Sequence, residues 1–227
     1  MSAPTNARIA LFLSIVLTLL LWWVIPFGGW ISWPLLLLST FAHELGHGLA
    51  ALSVGHGFEA MKINWDGSGV TMSSGNGGRI ASAWIAAGGL LGPAFAAAAL
   101  FKIGKNAKTS RRALLVIGCS MLVLDVWVVR NVFGFLFVAG FGLLFVFLSR
   151  KRGSEFARFT LIFLATQLAL SVFSRSDYLF TQNAGAGPSD VAHMANALWM
   201  PYWFWGLICG GVSVVVLVFG IAGYVRR

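Results

Sequence analysis

The chain has 227 residues, of which 58% are hydrophobic and only 10% are charged, and its mean hydropathy is +0.83. This composition excludes an ordinary soluble domain and predicts an integral membrane protein. The net charge of +9 comes from basic residues grouped in short segments between apolar runs. Such grouping is typical of positive-inside topology, so we expect a lipid bilayer as partner and no nucleic acid.

The apolar runs predict an all-α membrane protein with about seven transmembrane helices. Several runs reach the roughly 20 residues that cross a bilayer as helix, and alternating strands of the barrel type are lacking. The expected spans are 8–27, 30–54, 80–101, 113–129, 132–148, 159–173 and 202–224, with a short interfacial helix at 191–200. We expect one multi-pass membrane domain over residues 1–227.

A short β-hairpin is predicted directly after the second helix. Residues 58–65 and 70–74 alternate between apolar and polar side chains, and Asp66-Gly67 between them is a favoured hairpin turn. Two interpretations remain open. The hairpin is either an ordinary surface loop or an exposed edge that holds an unwound peptide by strand addition.

The third predicted helix contains the small residues Gly88 and Gly92, followed by Pro93. Small residues four positions apart let two membrane helices approach closely, so we expect Gly88 and Gly92 to serve helix packing. Pro93 lacks an N–H group and is expected to kink or open the helix locally.

The second helix carries the sequence His43-Glu44-Leu45-Gly46-His47. Histidines four residues apart project from one face of a helix, where they can bind one zinc ion while Glu44 reaches a zinc-bound water. The alternative is a buried hydrogen-bond cluster that ties helices together. Three ionisable groups inside a membrane span are costly, and this cost favours a functional site over a chance match.

These residues resemble the site-2 protease family of intramembrane zinc metalloproteases. The resemblance rests on the pentapeptide, on Gly69-Val70-Thr71 in the hairpin and on Gly88-Gly89-Leu90-Leu91-Gly92-Pro93 in the next helix. Residues 130–134 and 189–192 are similar to a compact bacterial branch, which implies a bacterial cell membrane. The resemblance also implies Zn²⁺ as cofactor, membrane-anchored protein substrates, His43 and His47 as metal ligands, and Glu44 as general base.

The family's third zinc ligand is an Asp in a Leu-Asp-Gly motif, which this chain lacks. Asp190 is the first choice, because the compact branch has a similar Ser-Asp-Ala sequence; its alternative role is to favour the start of a helix. Asp125 is a second candidate, since a carboxylate inside a span is costly, although it could instead pair with Arg130 or form a hydrogen bond between helices. Asp177 is the third, with Arg175 as an alternative partner.

Three further residues carry weaker hypotheses. His193 could ligate or orient the metal, or it could simply be solvated. His56 follows the second helix and is expected to serve local hydrogen bonding. Asn131 could stand in for a family Asn near the substrate, or it could belong to an ordinary Arg-Asn turn.

The leading hypothesis is peptide-bond hydrolysis with Glu44 as the base. The alternatives are a metal-ion transporter, since histidines and carboxylates also line ion pathways, and an inactive membrane scaffold that has lost a ligand. A transporter usually offers several polar spans and repeated halves, whereas here only the second helix has a dense polar stripe.

Overall fold

The computed structural model describes residues 3–23, 28–151, 153–174, 177–184 and 187–225. The elements in chain order are α1 (Ala3–Trp23), α2 (Gly28–Ser53), β1 (Gly57–Ile63), β2 (Gly69–Ser74), α3 (Gly78–Ile103), α4 (Ala107–Val128), α5 (Val132–Lys151), α6 (Ser154–Ser174), α7 (Asp177–Phe180), β3 (Asn183–Ala184), β4 (Gly187–Pro188), α8 (Asp190–Leu198) and α9 (Tyr202–Val225). The predicted short helix at 191–200 is α8.

Within the described residues, five helices are long and apolar enough to cross a membrane. They are Gly28–Ser53, Gly78–Ile103, Val132–Arg150, Ser154–Val172 and Tyr202–Val225. α1 contains a shorter apolar stretch, Leu11–Leu20. α4 has 22 residues, but Arg111, Arg112 and Asp125 reduce its apolar character. The helical membrane fold is confirmed, and the number of seven spans stays a prediction.

Helices α2 and α3 pack with their backbones in close contact at glycines. A Cβ atom on Gly46 would lie 2.2 Å from the carbonyl oxygen of Gly88, and one on Gly92 would lie 2.8 Å from that of Ala42. Any side chain at these positions would push the helices apart, because the atoms that it would meet belong to the backbone of the facing helix. The contact holds the histidine-bearing part of α2 against α3, as the packing role expected for Gly88 and Gly92 requires.

The predicted β-hairpin is present and lies along α2. β1 and β2 pair antiparallel. Near the start of β1, Phe58 packs over Gly48 of α2, while at the turn the indole N–H of Trp33 donates to the carbonyl of Trp65 at 3.0 Å. The hairpin therefore runs back beside α2 and past Glu44. Non-helical backbone is tolerated beside a membrane helix where protein covers it or where it lines a cavity.

The outer edge of β1 is closed by the turn between α4 and α5. The Asn131 side chain donates to the carbonyl of Ile63 at 2.6 Å and accepts from its N–H at 3.2 Å, and the Arg130 N–H donates to the carbonyl of Met61 at 2.9 Å. Asn131 thus pairs with β1 as a further strand residue would. These hydrogen bonds give the Asn131 side chain a structural role that does not depend on a bound substrate.

Several contacts hold α8 in place beside α3 and α9. The Ser189 hydroxyl caps the helix by accepting a backbone N–H of its first turn, and Val191 and Met194 are buried against α3 and α9. At the other end, the guanidinium of Arg79 in α3 lies 4.0 Å from the ring centre of Trp199. These contacts determine where the first residue of α8, Asp190, projects.

Candidate metal centre

The two histidines of the pentapeptide face each other on α2. Their Nε2 atoms are 3.2 Å apart, and Nδ1 of His47 lies 2.7 Å from the carbonyl oxygen of Ile85 in α3. A carbonyl can only accept, so Nδ1 of His47 carries the proton and its Nε2 presents a lone pair. Gly89 makes room for this ring, since a Cβ atom there would lie 2.1 Å from Nε2 of His47.

Asp190 meets both imidazoles. Its Oδ2 atom is 3.1 Å from Nε2 of His43 and 3.4 Å from Nε2 of His47. Four ligands held about 2.0–2.1 Å from a tetrahedral zinc ion are separated from one another by roughly 3.3 Å. The triangle of donor atoms has edges of 3.1, 3.2 and 3.4 Å, so the group fits a metal ion of this size.

The Asp190 carboxyl is held in its charged form by its neighbours. Burial alone would raise its pKa, but the two imidazoles beside it hold the pKa below its usual range. A carboxyl must be ionised to bind a metal, so this environment suits a ligand.

Of the two other candidate aspartates, Asp125 does not join this group. Asp125 is buried in α4, only 2% exposed, and its Oδ1 has no hydrogen-bond partner among the described residues. The alternative pair with Arg130 is absent there, because the Arg130 guanidinium instead donates to backbone carbonyls at the end of α4. Asp177 begins α7, and its side chain lies outside the described part.

Glu44 is buried between α2 and the hairpin, with 4% of its surface exposed. The hydroxyl of Thr71 in β2 lies 2.8 Å from Oε2 of Glu44 and 2.9 Å from its backbone carbonyl oxygen. A Cβ atom on Gly69 would lie 2.6 Å from Oε1, so only glycine leaves room for the carboxylate. Sequence reasoning missed the Thr71 contact, although Gly69-Val70-Thr71 was part of the family resemblance.

A cavity of about 780 Å³ opens on the His-His-Asp group. α2, β2, α3 and α8 contribute to its walls. His193, one turn after Asp190, lines this cavity and is exposed, but it is not part of the donor group. His56 also lines it, packed under Gly75 and Gly77, and its Nε2 has no partner among the described residues.

Helices long and apolar enough to cross a membrane, and a His-His-Asp group that could hold a metal ion, are the features expected of a membrane metallohydrolase. The sequence model of the family Peptidase M50B-like matches residues 12–220, nearly the whole chain. The chain therefore belongs to the Peptidase M50B-like family, within the site-2 proteases, and is a multi-pass integral membrane protein of a metalloprotease family. No curated protein and no solved structure matches it significantly.

Proposed function

We propose that the chain is a zinc-dependent endopeptidase that hydrolyses peptide bonds of membrane-anchored proteins. The convergence of the His43, His47 and Asp190 donor atoms at separations of 3.1–3.4 Å is the observation that carries this proposal. Glu44, on the same helix as the two histidines, is the buried carboxylate available to move a proton. Membership of a metalloprotease family supports the same conclusion.

Each of these residues has a separate role in the proposed reaction. His43, His47 and Asp190 would hold zinc, which when bound supplies Lewis-acid polarisation and lowers the pKa of water to about 7. Glu44 takes a proton from the attacking water while the water oxygen bonds to the carbonyl carbon of the peptide. Glu44 then delivers this proton to the leaving amine as the C–N bond breaks.

A membrane-anchored substrate must lose helical structure before this chemistry. The carbonyl groups of an intact helix are occupied by its own hydrogen bonds, and an unwound segment in the membrane needs new partners. We propose that the free edge of β2, which pairs with no strand other than β1 among the described residues, provides them. β2 lines the cavity, whereas β1 is closed by the α4–α5 turn.

The pairing register shows which backbone groups this edge offers. In an antiparallel ladder, successive residue pairs alternate between bonding to each other and pointing outward. Met61 and Ile63 point away from β2, because they bond to the α4–α5 turn. In β2, Met61 is paired with Thr71 and Ile63 is paired with Gly69. The N–H and C=O groups of Thr71 and Gly69 therefore point away from β1, towards an incoming strand beside Glu44.

A scan of N-methylated substrates tests this strand addition. In a single-span peptide reporter, each residue around the cleaved bond is N-methylated in turn, which removes one N–H donor. We expect kcat/KM to fall at every second position, by about 2- to 12-fold, the loss that corresponds to one hydrogen bond. A uniform effect, or none, would show that the substrate does not pair with β2.

The hydrolysis itself is tested in H₂¹⁸O with the purified protein in lipid nanodiscs. We expect one ¹⁸O atom in the new C-terminal carboxylate of the cleaved single-span reporter, as attack by water requires. Activity should disappear with a zinc chelator and return when zinc is added. Intact reporter together with zinc flux through proteoliposomes would instead favour the transporter. If the protein showed neither cleavage nor zinc flux, the inactive scaffold would be favoured.

A further inference from the structure

The strand that is positioned to receive substrate also contacts the proposed base. Thr71 carries both features: its backbone points to the free edge of β2, and its hydroxyl lies 2.8 Å from Oε2 of Glu44. We propose that Thr71 is a positioning residue that orients the Glu44 carboxylate for proton transfer. This inference rests on the proposed function, in which Glu44 is the base.

The carboxylate of Glu44 needs such a partner because its side chain is long and rotatable. A hydroxyl donates one proton, and a carboxylate can only accept, so Thr71 is the donor in this bond. With Oε2 held by Thr71, the other oxygen, Oε1, lies against Gly69 at the free edge. Proton transfer would then fall to Oε1.

If Thr71 only attached the hairpin to α2, its loss would affect the stability of the protein and not the catalytic step. The hydroxyl also lies 2.9 Å from the backbone carbonyl oxygen of Glu44, so it could serve only to attach the hairpin to α2. Thr40 makes an attachment of that kind, since its hydroxyl donates to the carbonyl of Gly67 at 2.7 Å. Thr40→Val is therefore a matched control that removes a hydroxyl between hairpin and helix without removing the bond to the Glu44 carboxylate.

The experiment compares Thr71→Val, Thr71→Ser and Thr40→Val in full-length protein, with the single-span peptide as substrate. For Thr71→Val we expect kcat to fall by about 10- to 100-fold, as for loss of an orienting partner, with KM and zinc content unchanged. Thr71→Ser retains the hydroxyl and should restore kcat to within about threefold. Thr40→Val should lower the thermal unfolding temperature but leave kcat near wild type.

Three results would overturn the role of Thr71. They are a normal kcat in Thr71→Val, equal losses in the Ser and Val variants, or a Thr71→Val protein that fails to fold while Thr40→Val folds. Glu44→Gln separates this failure from failure of the proposed function. An inactive Glu44→Gln enzyme beside a fully active Thr71→Val enzyme rejects only the positioning role, whereas an active Glu44→Gln enzyme rejects Glu44 as base.

Discussion

Glu44→Gln should lower kcat for the single-span reporter by about 10²- to 10⁴-fold, the usual contribution of a general base. The amide has nearly the shape of the carboxylate and can still accept the Thr71 hydrogen bond, but it cannot take up a proton at neutral pH. The bound zinc, measured by mass spectrometry of the purified protein, should therefore stay at the wild-type level while turnover is lost.

A second glutamate provides the control for this substitution. Glu59 lies in β1 and accepts a hydrogen bond from Ser74 at the exposed end of the hairpin. Glu59→Gln removes the same charge from the same region, yet it should leave kcat close to wild type. If Glu44→Gln retained half of the wild-type turnover, the proton would have to move through another group.

Asp190→Ala should weaken zinc binding by more than about 100-fold, beyond the loss typical of an outer-shell partner, because it removes a proposed ligand itself. The two imidazoles alone leave the ion short of the three protein ligands usual in catalytic zinc sites. Competition with a chromophoric chelator measures this affinity directly, without a substrate. Since Ser189 caps α8, the helix should survive the substitution.

Asp125→Asn is the matched control for Asp190→Ala. Asp125 is also a buried carboxyl, but it lies in α4 and outside the donor group. Its amide variant should bind zinc as tightly as the wild type. Full zinc affinity in Asp190→Ala, or loss of zinc in Asp125→Asn, would assign the third ligand to a residue other than Asp190.

The parts of the fold and site that follow from local pattern were predictable from the sequence. The four-residue spacing of His43 and His47 determines that both rings project from one face of α2, whatever surrounds that helix. The hairpin was likewise readable from alternation around Asp66-Gly67. In both cases the signal lies within a few neighbouring residues.

The remaining parts depend on contacts between distant segments, for which the local pattern contains no signal. Asp190 is more than 140 residues away from His47 in the chain, and three aspartates satisfied the same chemical requirement. The Thr71 hydroxyl reaches Glu44 only because the hairpin runs back along α2. The alternative pair of Asp125 with Arg130 does not form in the described structure, because the Arg130 guanidinium donates to nearby carbonyls at the helix end.

Closure of β1 by Asn131 limits how far the small sheet can grow. A two-stranded hairpin with both edges open could recruit strands on either side and seed aggregation among copies crowded in a bilayer. Here Asn131 blocks one side, and the other side lines a cavity. The proposed pairing of an unwound substrate with β2 would therefore carry little risk of polymerising the protein through its own strands.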